Sequence, residues 1–168
     1  PQCLLGALST NSRVLVVNVL SDKMPVFIGV ENPDPTRSIS KSTFEEILKN
    51  NNNIIPKDID LVILMCAGWS CSAAKNYCDD LNNRGVDVSR VVDYAGGLHE
   101  WCLYNKLNSS LFKLFELENN LEMDQNKIKD LLKNTAHGYN TNTLINENNN
   151  PVSSFCKDGS NLPELLQL

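Results

Sequence analysis

Two short runs of aliphatic and β-branched residues constrain the fold of this chain more than any other feature. They occupy residues 14–17 and 61–65. Each run is continuously apolar, which is typical of strands that are covered on both faces, as in parallel sheets. Both are much shorter than the roughly 20 apolar residues that cross a bilayer. The pattern predicts a soluble chain with a buried sheet and no membrane segment.

Predicted helices separate the strand candidates along the chain. Residues 42–50 begin with the hydroxyl and carboxylate spacing of a capping box, and residues 73–81 and 98–104 carry apolar side chains at helical spacing. Residues 86–92 form a further predicted strand. Strands that alternate with helices favour right-handed crossovers between parallel strands. We therefore predict the α/β class, with a central, mainly parallel sheet that is flanked by helices on both faces.

The C-terminal part of the chain differs in composition. Residues 110–117 and 124–133 are predicted helices. Residues 140–150 are rich in Asn and have few apolar side chains from which to build a core. We therefore predict a domain at residues 1–107 and a helical, Asn-rich extension at residues 108–168. This extension is the expected contact region for a protein partner or for a second copy of the chain.

Charge and cysteine content exclude several classes of protein. The formal net charge is -5, which is the wrong sign for a protein that binds nucleic acid by neutralising phosphates. Six cysteines in 168 residues are too few for a disulfide scaffold and favour free thiols in a reducing, cytoplasmic environment. The chain starts at Pro1 without a basic leader, so we expect a trimmed start and not a secretion signal.

A metal site is not predicted. Cys66, Cys71 and Cys78 carry suitable ligand atoms, but their spacing matches no common zinc pattern, and only His99 and His137 would add imidazole. We expect neither a metal nor a cofactor.

Cys66 directly follows the second apolar run and begins the segment with the clearest chemical logic. It is followed by a loop of small and polar residues that enters a predicted helix: Ala67, Gly68, Trp69, Ser70, Cys71 and Ser72. Backbone N–H groups in such a loop, together with the positive end of the helix dipole, stabilise a thiolate or a persulfide. This predicts a nucleophilic Cys66 in an anion-binding loop. The alternative, which the spacing leaves equally open, is a buried cysteine that ends a core strand as a small hydrophobe.

This segment resembles the rhodanese-like family of sulfurtransferases. The family has a strand that ends in a catalytic Cys, a loop of the form C-x-x-G-x-R-S, and a later G-G-x-x-x-W motif. The first motif corresponds here to CAGWSCS at residues 66–72, and the second to GGLHEW at residues 96–101. The second motif is the closer match. The resemblance covers residues 13–105 and implies a rhodanese-like α/β fold.

The resemblance implies a sulfurtransferase with Cys66 as the catalytic residue and residues 67–72 as the substrate-binding loop. Cys66 would take up a sulfane sulfur as a persulfide from a small-molecule or protein donor and pass it to a thiol or another nucleophilic acceptor. The loop departs from the family at Cys71, which replaces an Arg, and the first strand has Asn18 and Leu20 in place of Asp and Arg. Without these charges we expect weak turnover of thiosulfate, which is a dianion.

Two other hypotheses remain open. The altered loop is compatible with a catalytically inactive rhodanese-like module that binds a protein partner. Cys66 and Cys71 also suit a thiol-redox protein, in which Cys71 resolves an oxidised Cys66. For Cys71, the structural alternative is packing on the same helical face as Cys78.

Overall fold

Five helices and six strands make up the part of the chain that the structure describes. This computed structural model describes residues 1–20, 26–29, 37–116 and 121–135. In chain order the elements are α1 (Gln2–Thr10), β1 (Val14–Asn18), β2 (Val26–Gly29), β3 (Ser38–Ser40), α2 (Lys41–Asn50), β4 (Leu61–Met65), α3 (Ala73–Asn83), β5 (Val91–Tyr94), α4 (Gly97–Leu107), β6 (Lys113–Glu116) and α5 (Gln125–Thr135).

Four strands form a parallel sheet in the order β3-β1-β4-β5. In this sheet Val16 of β1 lies opposite Ser38 of β3 on one side and Ile63 of β4 on the other. All five residues of β1 are buried, as are four of the five in β4. The two continuously apolar runs are therefore the central strands, because only a strand covered on both faces buries every side chain.

Helices cover both faces of the sheet, and successive side chains of β1 and β4 enter two different cores. The core on the α1, α4 and α5 side includes Leu4, Val16, Ile63, Leu98, Trp101 and Ile128. The core on the α2 and α3 side includes Val17, Phe44, Leu48, Leu64, Ala74 and Leu81. This arrangement confirms the prediction of an α/β fold with a mainly parallel sheet between two helical layers.

The prediction of a helix at residues 110–117 is wrong. Strand β6 occupies the middle of this segment and pairs with β2 in an antiparallel ladder. Phe112 and Leu114 are buried in the same core as Trp101, whose indole N–H donates to the carbonyl of Lys113 at 2.9 Å. In so short an apolar segment, side-chain spacing does not separate helix from strand, and the pairing with β2 decides the outcome.

The predicted helix at residues 124–133 is confirmed as α5. Its cap is Asp124, whose Oδ1 accepts hydrogen bonds from the backbone N–H groups of Asn126 at 2.8 Å and Lys127 at 3.0 Å. Ile128 of this helix belongs to the same core as Leu4. The described part of the predicted C-terminal extension therefore packs on the sheet. The Asn-rich segment at residues 140–150 lies outside the described residues.

The starts of α2 and β5 differ from the predicted ones. Helix α2 is capped by Ser40 and not by Ser42, since Ser40 Oγ accepts a hydrogen bond from the N–H of Thr43 at 3.2 Å. Strand β5 begins only at Val91, because Val88–Arg90 forms a 3₁₀ turn. Among the residues that the structure describes, no helix has the length and apolar character needed to cross a membrane.

Candidate functional site

The loop at residues 66–72 lies at the carboxyl edge of the sheet, between β4 and α3. This is the edge at which open α/β sheets bind their ligands, and β4 has a strand on either side. The structure brings all the predicted site residues together here, but it shields Cys66 and Gly68 from solvent. The remaining loop residues are exposed or half-buried: Ala67, Trp69, Ser70, Cys71 and Ser72.

The Cys66 side chain is enclosed in the core on the α2 and α3 side, and the residue is 0% exposed. Its thiol faces two backbone carbonyls of its own loop. Cys66 Sγ lies 3.4 Å from the carbonyl oxygen of Cys71 and 3.7 Å from that of Gly68. A thiol donates to such acceptors, whereas a thiolate is repelled by them, so these carbonyls favour the protonated form.

The ionisation of Cys66 follows from this environment. Burial raises the pKa of the thiol to about 12, and the neighbouring Cys71 thiol adds to the effect. The backbone N–H groups of Gly68 and Ala74 act in the opposite direction but are outweighed. Cys66 is therefore a neutral thiol near pH 7. Some backbone N–H groups do favour the thiolate, as predicted. The environment as a whole nevertheless stabilises the neutral thiol and not the predicted thiolate.

Helix α4 holds the loop through its first turn. The N–H of Leu98 donates to the carbonyl of Cys66 at 2.8 Å, and the N–H of His99 donates to the carbonyl of Ala67 at 2.9 Å. Gly97 permits this approach: its φ is +56°, and a Cβ at this position would lie 2.4 Å from the carbonyl oxygen of Cys66. The Gly-Gly motif therefore fixes the backbone of the thiol loop.

Cys71 occupies the opposite end of the loop and is half-buried. Its N–H donates to the carbonyl of Gly68 at 2.8 Å, which closes a tight turn around Trp69 and Ser70. Its carbonyl oxygen lies 3.4 Å from Cys66 Sγ, and its thiol contributes to the raised pKa of Cys66. The side chain also packs at the margin of the core that contains Cys66, so both interpretations of this residue, as a contact of Cys66 and as a packing residue, have structural support.

The described ranges contain three other cysteines, Cys3, Cys78 and Cys102. Cys78 and Cys102 are free thiols, and burial raises the pKa of Cys102 to about 12. Cys3 is disulfide-bonded, so the expectation of free thiols is wrong for this residue. Within the described ranges there is no group of three or more His, Cys, Asp or Glu side chains that could hold a metal ion. His137 and Cys156 lie outside those ranges.

Asn18 and Leu20, where the rhodanese-like family has charged residues, are placed at the end of β1. Asn18 is 5% exposed, and its Oδ1 accepts a hydrogen bond from the N–H of Leu20 at 3.0 Å. Asn18 therefore stabilises the turn after β1. No Lys or Arg occurs between residues 61 and 74, so the loop itself supplies no cationic side chain for an anionic ligand.

Sequence reasoning missed two buried polar residues that follow the Gly-Gly motif. Glu100 is 0% exposed and His99 is 2% exposed, both in the first turns of α4. His99 Nδ1 lies 3.0 Å from Thr135 Oγ1, which links α4 to α5, and burial lowers the pKa of the imidazole. The only signal in the sequence is that both residues lie inside the G-G-x-x-x-W motif.

A second polar cluster lies between α2 and α3, away from the thiol loop. Arg84 makes two hydrogen bonds of 2.8 Å to the Glu45 carboxylate, and the Tyr77 hydroxyl donates to the same carboxylate. An open cavity of about 420 Å³ lies beside it, and no residue of the loop at 66–72 lines this cavity. The hydrogen bonds to Arg84 are the main reason that the pKa of Glu45 is lowered.

Comparisons with known proteins place few limits on this site. No protein-family model matches the chain, and no curated protein matches it. Among solved structures, the crystal structure of the BH2092 protein from Bacillus halodurans is similar at 19% sequence identity, with a TM-score of 0.45. The match covers 74% of this chain and 85% of that chain. The fold and the loop together define an α/β protein with a sealed thiol at its sheet edge, and the rhodanese-like resemblance stays a prediction.

Proposed function

We propose that this chain is a rhodanese-like protein-binding module, in which the loop at residues 66–72 is the recognition surface and Cys66 does not transfer sulfur. The observation that carries the proposal is a sealed, protonated Cys66 sulfur in a loop whose Trp69 side chain is 48% exposed. A cytoplasmic location and a partner of protein nature are parts of the same proposal.

The state of Cys66 argues against routine sulfur transfer. Transfer requires a thiolate that a donor molecule can reach. A thiol with a pKa of about 12 is ionised in only about one molecule in 10⁵ at pH 7, and the residue is 0% exposed. Access and ionisation both have to change before Cys66 reacts with an external donor. The absent loop Arg removes the usual means of attracting an anionic donor.

The backbone on both sides of Trp69 is held by hydrogen bonds. On one side Ala67 is held by the N–H of His99, and on the other Cys71 is held by the carbonyl of Gly68. A large aromatic side chain on an ordered backbone loses little conformational entropy on binding, and tryptophan is enriched among the residues that dominate binding energy. The expected partner is a protein with an apolar pocket for the indole. A net charge of -5 on this chain disfavours an acidic partner surface.

The binding proposal is tested by quantitative affinity capture from the cells that make the protein. Wild type, Trp69→Ala and Cys66→Ser are compared, with Ile54→Ala as the matched control because Ile54 is 62% exposed but lies outside the loop. We expect a partner that Cys66→Ser and Ile54→Ala capture as well as the wild type does. Trp69→Ala should capture at least tenfold less of it. Equal capture by all four proteins would show that the loop is not the recognition surface.

Sulfur transfer is the second candidate function, and the N–H groups of Gly68 and Ala74 favour it because they act on the Cys66 sulfur. The native protein is incubated with a persulfide donor and digested, and the mass of the Cys66 peptide is measured. A gain of one sulfur atom that is absent from Cys66→Ser would identify Cys66 as a sulfur carrier and contradict the proposed binding module. An unchanged mass, with Cys66 alkylated only after unfolding, supports the binding module.

A further inference from the structure

Cys66 precedes the tight turn that runs from Gly68 to Cys71, and its sulfur contacts the backbone of Cys71. Cys66 Sγ lies 3.4 Å from the carbonyl oxygen of Cys71, and the Cys71 thiol contributes to the raised pKa of Cys66. The hydrogen bond of 2.8 Å between the Cys71 N–H and the Gly68 carbonyl folds the intervening residues back. The loop therefore brings together two free sulfur atoms.

The two thiols differ in their access to solvent. Cys71 is half-buried, whereas Cys66 is fully enclosed. A small oxidant in solution therefore meets Cys71 first. Cys66 can react only with a group that is already beside it, and the Cys71 side chain is such a group. This asymmetry assigns different roles to the two sulfurs.

We propose that Cys66 and Cys71 form a peroxide-reactive dithiol, in which Cys71 reacts with a hydroperoxide and Cys66 resolves the product. Cys71 Sγ, as its thiolate, attacks one oxygen of hydrogen peroxide. An S–O bond forms and the O–O bond breaks. The sulfur is oxidised by two electrons to a sulfenic acid, and the leaving hydroxide combines with the thiol proton to give water.

In the second step, Cys66 Sγ attacks the sulfenic sulfur of Cys71. The S–S bond forms, the S–O bond breaks, and hydroxide leaves with the proton of Cys66 as a second water molecule. Two thiols and one peroxide thus give one disulfide and two waters. A dithiol reductant restores both thiols by thiol–disulfide exchange.

The contact explains how a buried, neutral thiol can take the resolving role. Because Cys66 Sγ lies against the Cys71 residue, proximity replaces a collision in solution and intramolecular attack is strongly favoured. This dithiol chemistry goes beyond the proposed binding function and does not depend on it.

Peptide mass spectrometry of the whole chain tests the proposal. The protein is treated with one equivalent of hydrogen peroxide, blocked with N-ethylmaleimide and digested with trypsin. No Lys or Arg separates Cys66 from Cys71, so both fall in the tryptic peptide of residues 58–75. We expect this peptide to lose two hydrogens and to carry no maleimide. Because Trp69 lies inside the disulfide ring, we also expect a change in its fluorescence, against a constant contribution from the buried Trp101.

Variants assign the roles. In Cys66→Ser we expect a sulfenic acid on Cys71 that a cyclic 1,3-diketone traps, and in Cys71→Ser we expect Cys66 to stay a thiol. Cys78→Ser is the matched control, because Cys78 is also free and half-buried, and it should behave as the wild type does. Circular dichroism checks that each variant is folded.

Three results would overturn the proposal. They are full maleimide labelling of Cys71 after peroxide, oxidation of wild-type Cys71 to a sulfinic acid while Cys66 stays a thiol, and a disulfide from Cys71 to a cysteine other than Cys66. The wild-type measurement needs no substitution, so it decides the question even if Cys66→Ser fails to fold. Loss of partner capture in Trp69→Ala concerns the binding function alone and leaves these outcomes unaffected.

Discussion

Two strand–turn–helix units stand next to each other at the carboxyl edge of the sheet, and they use their turns differently. The first joins β4 to α3 through residues 66–72, which carry two free cysteines and a half-exposed tryptophan. The second joins β5 to α4 through Ala95 and Gly96 alone. The short turn offers almost no side chains, but its helix donates two N–H groups to the carbonyls of the long loop. The neighbouring unit therefore sets the conformation of the loop that carries the chemical groups.

The two units also differ in what their helix termini bind. In α4, the N–H groups of Leu98 and His99 are satisfied by loop carbonyls. In α3, the backbone N–H of Ala74 lowers the pKa of the Cys66 thiol. The N-terminus of α4 therefore fixes the loop backbone, whereas the N-terminus of α3 affects the ionisation of the thiol. Substitutions that act on one unit and spare the other separate these roles.

The largest loss of stability is expected for Gly97→Ala, which disrupts the contact between the two units. An alanine Cβ would meet the Cys66 carbonyl oxygen at 2.4 Å and the Gly68 nitrogen at 2.6 Å, both of them backbone atoms. The residue would also have to keep a φ of +56°. Left-handed backbone strain and overpacking together should lower the free energy of unfolding by about 3 kcal/mol. Urea unfolding followed by circular dichroism measures this loss.

Gly6→Ala is the matched control for this prediction. Gly6 lies in α1, and a Cβ there would have no atom within 4 Å. Alanine is favoured over glycine inside a helix, so this variant should gain about 0.5–1 kcal/mol. If both variants changed stability in the same direction, the steric explanation for Gly97 would be wrong.

The sequence predicts the part of the fold that depends on local patterns. The continuous apolar runs identify β1 and β4, and the Gly-Gly-x-x-x-Trp motif marks the turn before α4. Strand β6 could not be predicted in the same way, because its conformation depends on pairing with β2, which is distant in the sequence. Helix α1 was not predicted at all.

The candidate site, too, could be predicted only in part from the sequence. The residue types and their order place Cys66 at the end of a strand and in a loop that leads to a helix, as the structure does. The protonation state of Cys66 could not be predicted from them. It depends on the burial of the sulfur and on two carbonyls that face it, and both result from tertiary packing. A spacing pattern gives the position of a thiol but not the dielectric environment around it.

Cys66→Ala is the next largest change, and it acts on the long loop alone. It removes a fully buried sulfur and its two contacts with carbonyl oxygens, so we expect the free energy of unfolding to fall by about 2 kcal/mol. Cys78→Ala serves as the comparison, because Cys78 is only half-buried, and it should cost about half as much or less. Equal losses would show that Cys66 has no special place in the core.

The pH dependence of stability tests the protonation state of Cys66 directly. Its pKa is raised from 9.0 to about 12 by burial, so the neutral thiol contributes stability that is fully present below pH 9 and is lost as the pH rises from 9 to 12. At pH 10 the wild type should have lost about 1 kcal/mol more than Cys66→Ala, relative to pH 8.

This difference isolates Cys66, since Cys102 and Tyr104 also have raised pKa values but titrate in both proteins. Urea midpoints at pH 8, 9 and 10 provide the measurement. Parallel pH profiles for the two proteins would mean that the folded thiol ionises as an unfolded one does. In that case the sulfur would be open to solvent, and sulfur transfer would become the better explanation of the loop.

Trp69→Ala should have the smallest effect on stability, and this small size is informative. If the indole is a recognition group on a fixed loop, its removal changes the free energy of unfolding by no more than about 0.5 kcal/mol, as for other exposed positions such as Ile54→Ala. Iodide quenching provides a second measurement. Wild-type fluorescence should be partly quenched through Trp69, whereas the variant retains only Trp101, which is 0% exposed and should resist quenching. A loss of more than about 1 kcal/mol would instead show that the indole packs as part of the fold, because a side chain that supports its own domain is not free to contact a partner.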